Sequence, residues 1–444
     1  MSLLAAARAG RSTPLVTGAL LGQTRGYAAK GSTKVAQKKK STFKKNSKTE
    51  RETRGARDAG AFRAMTDAKI TENPIVRDNK RIPITLPEFQ ADLLTPKVAN
   101  LAMTFPHTRS LGAFGVPTNV LVDHMLLATK CSVVRESTLS MLDRLDKAAS
   151  TSSQSTRLVI SGKSGCGKSY LLLQATQYAL QKQWITLYIP RAISQLDSSS
   201  SYAYNRRTMT YDQPDFAHQF LKRFKDVNET LLQQLTLEQS YALEGRTVDK
   251  SSPLMQLIQY GTETPSNAPT VLSAVLEELA LQKNFPVLLA VDDFQALYCM
   301  SLYRDPYFKT VMGHHMTLPR TILEFASGKR SFARGAVLGA ISTTDARFAT
   351  PIEISDALGT THVGPSNPYV RRDPDLVGYA KGLVNLPVPD SLTVSEAASV
   401  YELWQKTKGI HLAHGDETFM NKYTQAGGNA RRFVQNGLLH SIAM

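Results

Sequence analysis

Residues 157–169 read Arg-Leu-Val-Ile-Ser-Gly-Lys-Ser-Gly-Cys-Gly-Lys-Ser, a short apolar run followed by a glycine-rich loop. Positions 162–169 fit the pattern Gly-x-x-x-x-Gly-Lys-Ser/Thr in full, and an apolar-periodic helix is predicted over Tyr170–Gln181. Glycines let such a loop curl until successive backbone N–H groups point at phosphate oxygens, and the positive end of the following helix adds to that field. The stretch predicts a P-loop that binds nucleotide phosphates; the alternative is a glycine-rich turn without a ligand.

The P-loop pattern gives its polar side chains separate roles. Lys168 is expected to reach the β- and γ-phosphates, and the Ser169 hydroxyl to ligate Mg²⁺. Cys166 is interpreted as a variable loop position, because no histidine lies near it in the sequence to act as a base. The nucleotide-binding residues predicted here are Gly162, Lys163, Ser164, Gly165, Cys166, Gly167, Lys168, Ser169 and Tyr170.

A second motif follows downstream. Val287-Leu-Leu-Ala-Val-Asp-Asp293 is an apolar run that ends in two carboxylates, the pattern of a Walker B strand. A buried parallel strand delivers Asp292 to the carboxyl edge of its sheet, so Asp292 is predicted to hold Mg²⁺ through water. Asp293 stands where many ATPases place a glutamate, and it is the candidate catalytic residue that positions a water, with a side chain one methylene shorter. The alternative for the pair is an ordinary turn after a strand.

Two further features point to the same site. Ala336–Ile341 precedes Ser342-Thr-Thr and predicts a sensor strand whose last hydroxyl faces the γ-phosphate, or else an ordinary strand with a polar turn. Near the C-terminus, Gly427-Gly-Asn-Ala-Arg-Arg432 opens a helix with an asparagine cap. Arg431 is predicted to contact the nucleotide from this helix; the alternatives are a solvent-facing position and a contact with RNA phosphate.

Apolar strands alternate with helices through the middle of the chain, which predicts an α/β fold with a parallel sheet covered by helices on both faces. From Thr393 onward only helices are predicted, and they form a small lid domain. The predicted strands are Arg157–Ser161, Trp184–Ile189, Val287–Val291, Ala336–Ile341 and Leu383–Leu386. Besides Tyr170–Gln181, the predicted helices are His218–Thr230, Val271–Gln282, Val394–Lys406, Glu417–Gln425 and Ala430–Ile442.

The region before the sheet has a different composition. Proline recurs between Asn73 and Thr118, which predicts an extended, weakly structured arm that lies over a partner or over the domain behind it. Leu121–Leu145 carries apolar residues at helical spacing and predicts a helical segment. The Ser/Thr-rich residues 150–156 predict a linker.

The formal net charge of +16 arises mainly at the N-terminus, where the first acidic residue is Glu50. Residues 1–27 are rich in Ala, Leu, Ser and Arg, the composition of a mitochondrial transit peptide, and cleavage is predicted after Tyr27. Residues 30–48 form a lysine-rich tail that cannot bury enough apolar surface to fold alone and that can neutralise nucleic-acid phosphates. The alternatives are a basic N-terminus without an import role and a tail that only aids solubility.

Composition excludes several other classes of protein. Cys131, Cys166 and Cys299 are scattered, which argues against a disulfide framework and fits a reducing compartment. No apolar run approaches the length of about 18 residues that a membrane-spanning helix needs. Without paired cysteines or histidines at metal-ligand spacing, no zinc site is expected. The predicted parts of the chain are a transit peptide (1–27), a basic disordered tail (28–80), a proline-rich arm with helices (81–150), a P-loop NTPase domain (151–390) and a helical lid domain (391–444).

The P-loop, the Asp292-Asp293 pair, the sensor strand and Gly-Asn-x-Arg at 428–431 together resemble the AAA+/STAND branch of P-loop NTPases. With the transit-peptide-like start, the lysine tail and the proline-rich arm, the chain from Pro83 onward resembles mitochondrial small-subunit ribosomal proteins of the death-associated protein family, of fungal type. This resemblance implies a structural constituent of the small mitoribosomal subunit, located in its head near the interface with the large subunit, in the mitochondrial matrix.

The resemblance also implies partners and a ligand. It implies contacts with small-subunit rRNA and neighbouring mitoribosomal proteins, and a bound guanine nucleotide, GTP or GDP, with Mg²⁺ and slow or no hydrolysis. ATP is possible as well, because residues 421–424 read Asn-Lys-Tyr-Thr and lack the aspartate of the guanine-binding Asn-Lys-x-Asp motif. At 429–431 the chain has Asn-Ala-Arg where many relatives carry Asn-Pro-Arg, so the start of the lid helix is less rigid and the Arg431 contact less secure.

Two other functions are compatible with the same motifs. The first is a matrix AAA+ ATPase motor, which needs an arginine finger from a neighbouring subunit and usually a Walker B glutamate. The second is a signalling switch of STAND type, which is expected to carry a repeat sensor domain; the sequence has no such repeat.

Overall fold

The computed structural model describes residues 84–106, 109–243, 246–361, 369–407 and 415–439. The predicted transit peptide and basic tail lie outside these residues. The strands are β1 (Ala102–Thr104), β2 (Cys131–Val133), β3 (Arg157–Ser161), β4 (Ile185–Ile189), β5 (Ala203–Asn205), β6 (Thr210–Asp212), β7 (Tyr241–Leu243), β8 (Arg246–Val248), β9 (Val287–Asp292), β10 (Met300–Arg304), β11 (Thr310–Met312), β12 (Gly335–Ala340) and β13 (Val384–Pro387).

Helices surround the strands, with short 3₁₀ turns between them. The α-helices are α1 (Arg109–Phe114), α2 (Thr118–Leu127), α3 (Glu136–Ala148), α4 (Lys168–Gln181), α5 (Pro214–Leu232), α6 (Leu254–Glu263), α7 (Ala268–Leu281), α8 (Thr317–Ser327), α9 (Ile352–Leu358), α10 (Pro374–Ala380), α11 (Val394–Lys406), α12 (Asp416–Gln425) and α13 (Ala430–Arg432). No helix in this part of the chain is both long and apolar enough to cross a membrane.

The centre of the fold is a five-stranded sheet in the order β13–β3–β12–β9–β4, with every pair of neighbours parallel. The predicted α/β fold with a parallel sheet is confirmed, and the five predicted strands lie within a residue or two of those observed. In the register of the sheet Ala340 lies opposite Asp292, and Ile341 N donates a hydrogen bond of 3.0 Å to Ile160 O. The carboxyl ends of β3, β9 and β12 therefore meet at one edge.

The sheet is buried on both faces, which explains why its strands are apolar without alternation. In β9, Leu289 and Val291 belong to one apolar cluster, which includes residues of α5, α6 and α7. Leu288 and Ala290 of the same strand belong to a second cluster, which includes residues of α3 and α4. The sheet is thus the middle layer between two layers of helices, and it holds its carboxyl edge in a fixed position.

The proline-rich region is folded where the structure describes it, so the predicted weakly structured arm is wrong for residues 84–106 and 109–118. Phe89, Phe105 and Phe114 are buried and belong to the same cluster as α3 and α4. Phe89 N also donates a hydrogen bond of 2.8 Å to Thr104 O. Prolines exclude long regular elements here, but the aromatic side chains still anchor the segment to the sheet layer.

The predicted helical segment Leu121–Leu145 is interrupted. Helix α2 ends where Ala128 adopts a left-handed conformation (φ 53°), and α3 starts at Glu136. Between them, β2 pairs antiparallel with β1, so Cys131 lies opposite Thr104. The apolar spacing on both sides of the break fits helices, but the backbone between them is taken up by a two-stranded sheet.

The region after β13 is helical, as predicted. The last helix begins at Ala430 but continues as a π-helix over Phe433–Leu438, and residues beyond 439 lie outside the described part. Trp404 and Phe433 share an apolar cluster with Leu127 of α2 and Cys131 of β2. The C-terminal helices therefore pack onto the segment that precedes the sheet, and a cleft lies between these two parts and the loop after β3.

Candidate functional site

The glycine-rich loop, residues 162–167, connects β3 to α4 at the carboxyl edge of the sheet. Gly165 lies in the left-handed region (φ 81°), and a Cβ atom placed there would lie 2.6 Å from Asn429 Oδ1 and 2.7 Å from Arg431 Cβ. The glycine is thus required twice, by the turn of the loop and by the close approach of the C-terminal helix. The strand–loop–helix context that the sequence predicts is present.

Lys168 lies within the curl of this loop. Its Nζ donates hydrogen bonds of 2.7 Å each to Gly162 O and Lys163 O. Burial lowers the pKa of the lysine, while Asp292 is among the nearby groups that raise it. The loop therefore surrounds a partly desolvated ammonium group, where an anion would gain more electrostatic energy than in water.

Ser169 and Asp292 come together although they lie far apart in the sequence. The Ser169 hydroxyl hydrogen-bonds the Asp292 carboxylate, which also accepts a hydrogen bond of 2.9 Å from Asp293 N. Asp292 is buried, and its desolvation together with the neighbouring Asp293 raises its pKa. A hydroxyl and a buried carboxylate beside a glycine-rich loop are the kinds of protein group that Mg²⁺ uses with a nucleotide.

Asp293 and the predicted sensor residue Ser342 also meet. Asp293 has a left-handed backbone (φ 57°), and its carboxylate forms a hydrogen bond with Ser342. Ser342 N donates a hydrogen bond of 2.9 Å to Gln295 Oε1. Burial raises the pKa of Asp293, while Arg191 lowers it. The candidate catalytic carboxylate, Asp293, is thus held next to Asp292 by a hydrogen-bond network that includes Ser342 and Gln295.

The C-terminal helix contacts the loop directly through its backbone. Arg431 N donates a hydrogen bond of 3.0 Å to Gly165 O, and Asn429 Nδ2 donates one of 2.9 Å to Ser164 O. Asn429 Oδ1 accepts from Arg432 N at 3.2 Å, so the predicted asparagine cap is confirmed. We call these contacts of Asn429 and Arg431 with residues 164–165 the loop clamp.

Arg135 is a second link to the loop, and it was not predicted from the sequence. Its Nη1 donates a hydrogen bond of 2.8 Å to Cys166 O, and its Nε lies 3.0 Å from Glu396 Oε1 in a salt bridge. One side chain therefore joins the segment before α3, the loop and helix α11. No local pattern marks Arg135, because both partners lie far from it in the sequence.

Two aspartates near the loop were also missed. Asp390 accepts hydrogen bonds from Lys163 N at 3.1 Å and contacts Lys163 Nζ at 3.0 Å. Asp123 of α2 accepts a hydrogen bond of 3.2 Å from the Tyr170 hydroxyl, and burial raises the pKa of Asp123 to about 6. Neither residue lies in a recognisable motif.

These elements enclose a cavity of about 180 Å³. Its loop end is lined by residues 164–171 and by the turn at 341–344, and its other end by apolar side chains that include Leu127, Val133 and Trp404. Its walls carry both signs of charge, from Asp123, Arg135, Lys168 and Arg431. A cavity with a glycine-rich loop and cationic side chains at one end and apolar side chains at the other has the mixed lining that small-molecule sites share.

A sequence model of the family described as mitochondrial ribosomal death-associated protein 3 matches residues 132–436. The chain belongs to that family. The match runs from β2 to the π-helix, so it includes the glycine-rich loop, Asp292 and Arg431. The predicted family and the mitochondrial location are therefore confirmed.

Individual relatives agree with the family. The chain is similar to small ribosomal subunit protein mS29 of Neurospora crassa, with 27% identity over 307 residues, 67% of this chain and 65% of that protein. It is similar to mS29 of Schizosaccharomyces pombe at 26% identity over 305 residues (67% and 62%), and to mS29 of Mus musculus at 26% over 256 residues (56% and 62%). The matched region thus spans somewhat less than two thirds of these relatives' own length.

Proposed function

We propose that this chain is a structural constituent of the small mitoribosomal subunit that holds a nucleotide as part of its folded form. The family and the names of its relatives support the ribosomal part. Small-subunit rRNA, neighbouring mitoribosomal proteins and the large subunit across the interface are the partners of this proposal. The loop clamp is the observation that supports a held nucleotide, because it lets the C-terminal helix close over the loop that would bind the phosphates.

The residues present fit a nucleotide with Mg²⁺. Backbone N–H groups of the glycine-rich loop and the Lys168 ammonium would hold the phosphates, with Arg431 beside the loop in the lining of the same cavity. Ser169 and Asp292 would hold the metal, which neutralises phosphate charge when bound. No group of three or more His, Cys, Asp or Glu side chains in the described ranges could hold a metal. Phosphate oxygens and water must therefore complete the coordination.

The same geometry favours retention over turnover. We expect the loop clamp and the Arg135 contacts to slow ligand release, since both link the loop to the C-terminal helices. A ligand that binds only the folded state stabilises it by about 4 kcal/mol at a thousandfold excess over Kd. Stabilisation of that size is a sufficient reason to keep a binding site without hydrolysis.

Sedimentation of the tagged full chain in mitochondrial lysate tests the ribosomal part. We expect the chain to co-migrate with small-subunit rRNA. A free ring-shaped oligomer with fast ATPase activity would contradict this proposal and support the matrix motor instead.

Nucleotide extraction from the purified chain tests the ligand. We expect GTP or GDP in near-stoichiometric amount, and its loss in the Lys168→Ala variant. Lys182→Ala is the matched control, because Lys182 pairs with Asp92 away from the loop. Recovery of ATP would mean that the base is adenine and not guanine. Full nucleotide content in the Lys168→Ala variant would contradict the proposal that this loop binds the phosphates.

A further inference from the structure

Two β-hairpins lie side by side on a face that the nucleotide proposal does not use. The first is β5–β6 with its turn at residues 206–209, and the second is β10–β11 with its turn at 305–309. An aromatic contact joins them: the ring of Tyr202, next to β5, lies 4.7 Å from that of Tyr303 in β10. Within the first hairpin, the ring of Tyr204 lies 5.2 Å from that of Tyr211. We call the exposed side chains of this region the hairpin face: Tyr202, Tyr204, Arg206, Arg207, Met209, Tyr307, Phe308 and Lys309.

The turn of the second hairpin holds two aromatic rings in solvent. Tyr307 is 82% exposed and Phe308 is 80% exposed. Phe308 has φ 62°, a left-handed conformation that is costly for a bulky residue, so the turn does not simply follow the intrinsic preference of its sequence. Exposed large apolar side chains on a strained backbone are a reason to look for a binding partner.

Hydrogen bonds make this turn rigid. Asp305 Oδ1 accepts from Tyr307 N and Lys309 N, each at 2.8 Å, and Asp305 O accepts from Phe308 N at 2.9 Å. Arg304 Nη1 donates to Phe308 O at 2.9 Å. The rings are therefore presented by a preorganised turn, and little conformational entropy is lost when they are covered.

The charge on the hairpin face is positive. Arg206, Arg207 and Lys309 are exposed. The two acids of the hairpins accept hydrogen bonds from neighbouring groups: Asp305 from the backbone of its turn, and Asp212 from Asn205 and from Thr317 at the start of α8. Exposed aromatic rings among cations are the combination with which proteins bind unpaired bases and their phosphates.

We propose that the hairpin face binds single-stranded RNA, with bases stacked on Tyr307 and Phe308 and phosphates held by Arg206, Arg207 and Lys309. Single strands fit better than a duplex because only unstacked bases offer their faces to the rings. The inference rests on the proposed ribosomal function, since it locates an RNA contact on the chain, but the binding assay below needs no ribosome.

The test measures binding of a labelled mixed-sequence single-stranded RNA of about 12 nucleotides to the full chain by fluorescence anisotropy. The Tyr307→Ala/Phe308→Ala variant should bind about tenfold more weakly at every salt concentration, because stacking releases no counterions. Arg206→Gln/Arg207→Gln should instead reduce the salt dependence. Tyr369→Ala is the matched control, an 89% exposed tyrosine outside the hairpin face.

A Phe308→Gly variant separates a loss of RNA affinity from a loss of the folded state. Glycine suits the left-handed turn, so this variant should melt no lower than the wild type while its RNA affinity falls. Wild-type affinity in the double-alanine variant, or equal affinity of the wild type for the duplex form of the same RNA, would overturn the proposal.

Co-sedimentation separates the remaining possibilities. If the double-alanine variant binds RNA normally but leaves the small-subunit fractions, the face binds a protein, and the RNA proposal is wrong. If the chain never co-sediments with the subunit but the hairpin variants lose RNA affinity, the ribosomal proposal fails while the RNA contact stands.

Discussion

His124 and Asp123 are adjacent in α2, and burial moves their proton equilibria in opposite directions. It lowers the pKa of His124 to about 4, and the ring Nε2–H donates a hydrogen bond of 3.2 Å to Cys131 O. Burial raises the pKa of Asp123 to about 6, against the effects of Tyr170 and Arg431. The unfolded chain binds more protons at His124 between about pH 4 and 6.5, and the folded chain binds more at Asp123 between about pH 4 and 6.

Because the two shifts are opposed, their contributions to the free energy of unfolding should nearly cancel in the wild type across this pH window. Variants that remove one of the two groups should reveal the contribution of the other. The free energy of unfolding of the Asp123→Asn variant should fall by about 2 kcal/mol as the pH is lowered from 6.5 to 4. Only the His124 contribution is left in this variant, and that contribution increases with pH. His124→Gln should change in the opposite sense by a similar amount. Urea unfolding at several pH values measures both, and slopes of the same sign in the two variants would contradict the assignment.

At the scale of single residues, sequence reasoning found what local patterns encode. Lys168, Ser169 and Asp292 were predicted because glycine spacing and a strand ending in carboxylates are visible in a few consecutive positions. Arg135 and Asp390 could not be found in this way, because each acts on the loop from a distant part of the chain.

Among the elements, the loop clamp yields a direct prediction. Gly165→Ala places a Cβ atom where Asn429 and Arg431 already lie and requires an unfavourable backbone angle. We expect a loss of about 2 kcal/mol in stability and faster hydrogen exchange over residues 416–438, with the exchange of β3, β9 and β12 unchanged.

A matched glycine supplies the control for this prediction. A Cβ atom at Gly378 in α10 would meet no atom within 4 Å, so Gly378→Ala should preserve or slightly raise stability. Unchanged exchange over residues 416–438 in Gly165→Ala would mean that the C-terminal helices do not depend on the clamp.

The elements of the sheet were predictable because strands buried on two faces leave uninterrupted apolar runs. The break between α2 and α3 was not predictable, because nothing local marks Ala128 for a left-handed conformation, and the pairing of β1 with β2 is a tertiary contact. The folded state of residues 84–106 was missed for a similar reason. Proline frequency describes the backbone, whereas Phe89 and Phe105 are ordered by the surface they bury.

For the whole molecule, the N-terminal lysines and the hairpin face should contribute to RNA binding in different ways. Residues 30–48 contain eight lysines. A chain without residues 28–48 should show a salt dependence of RNA affinity reduced by up to about 6 units of log–log slope, because each phosphate contact contributes about 0.7. The contribution of Tyr307 and Phe308 should be unchanged in that chain, and an unaltered slope would mean that the lysines do not contact RNA.

At this scale, the family was predictable from the sequence, but the base of the proposed nucleotide was not. The family follows from several motifs in a fixed order along the chain, and residues 132–436 match it. The base of the proposed nucleotide would contact side chains that converge in the cavity from α2, β2, α11 and the C-terminal helix, and such convergence leaves no short pattern.

The loop clamp has one more consequence, for the timing of folding. Asn429 and Ser164 are separated by 265 positions, and Arg135 and Glu396 by 261, so these contacts close among the longest loops of the chain. Contacts of such range form late, after local elements are in place. A chain that stops short of Asn429 contains an intact loop sequence but cannot complete its enclosure. Under the proposed function, tight ligand retention would therefore distinguish complete chains from truncated ones.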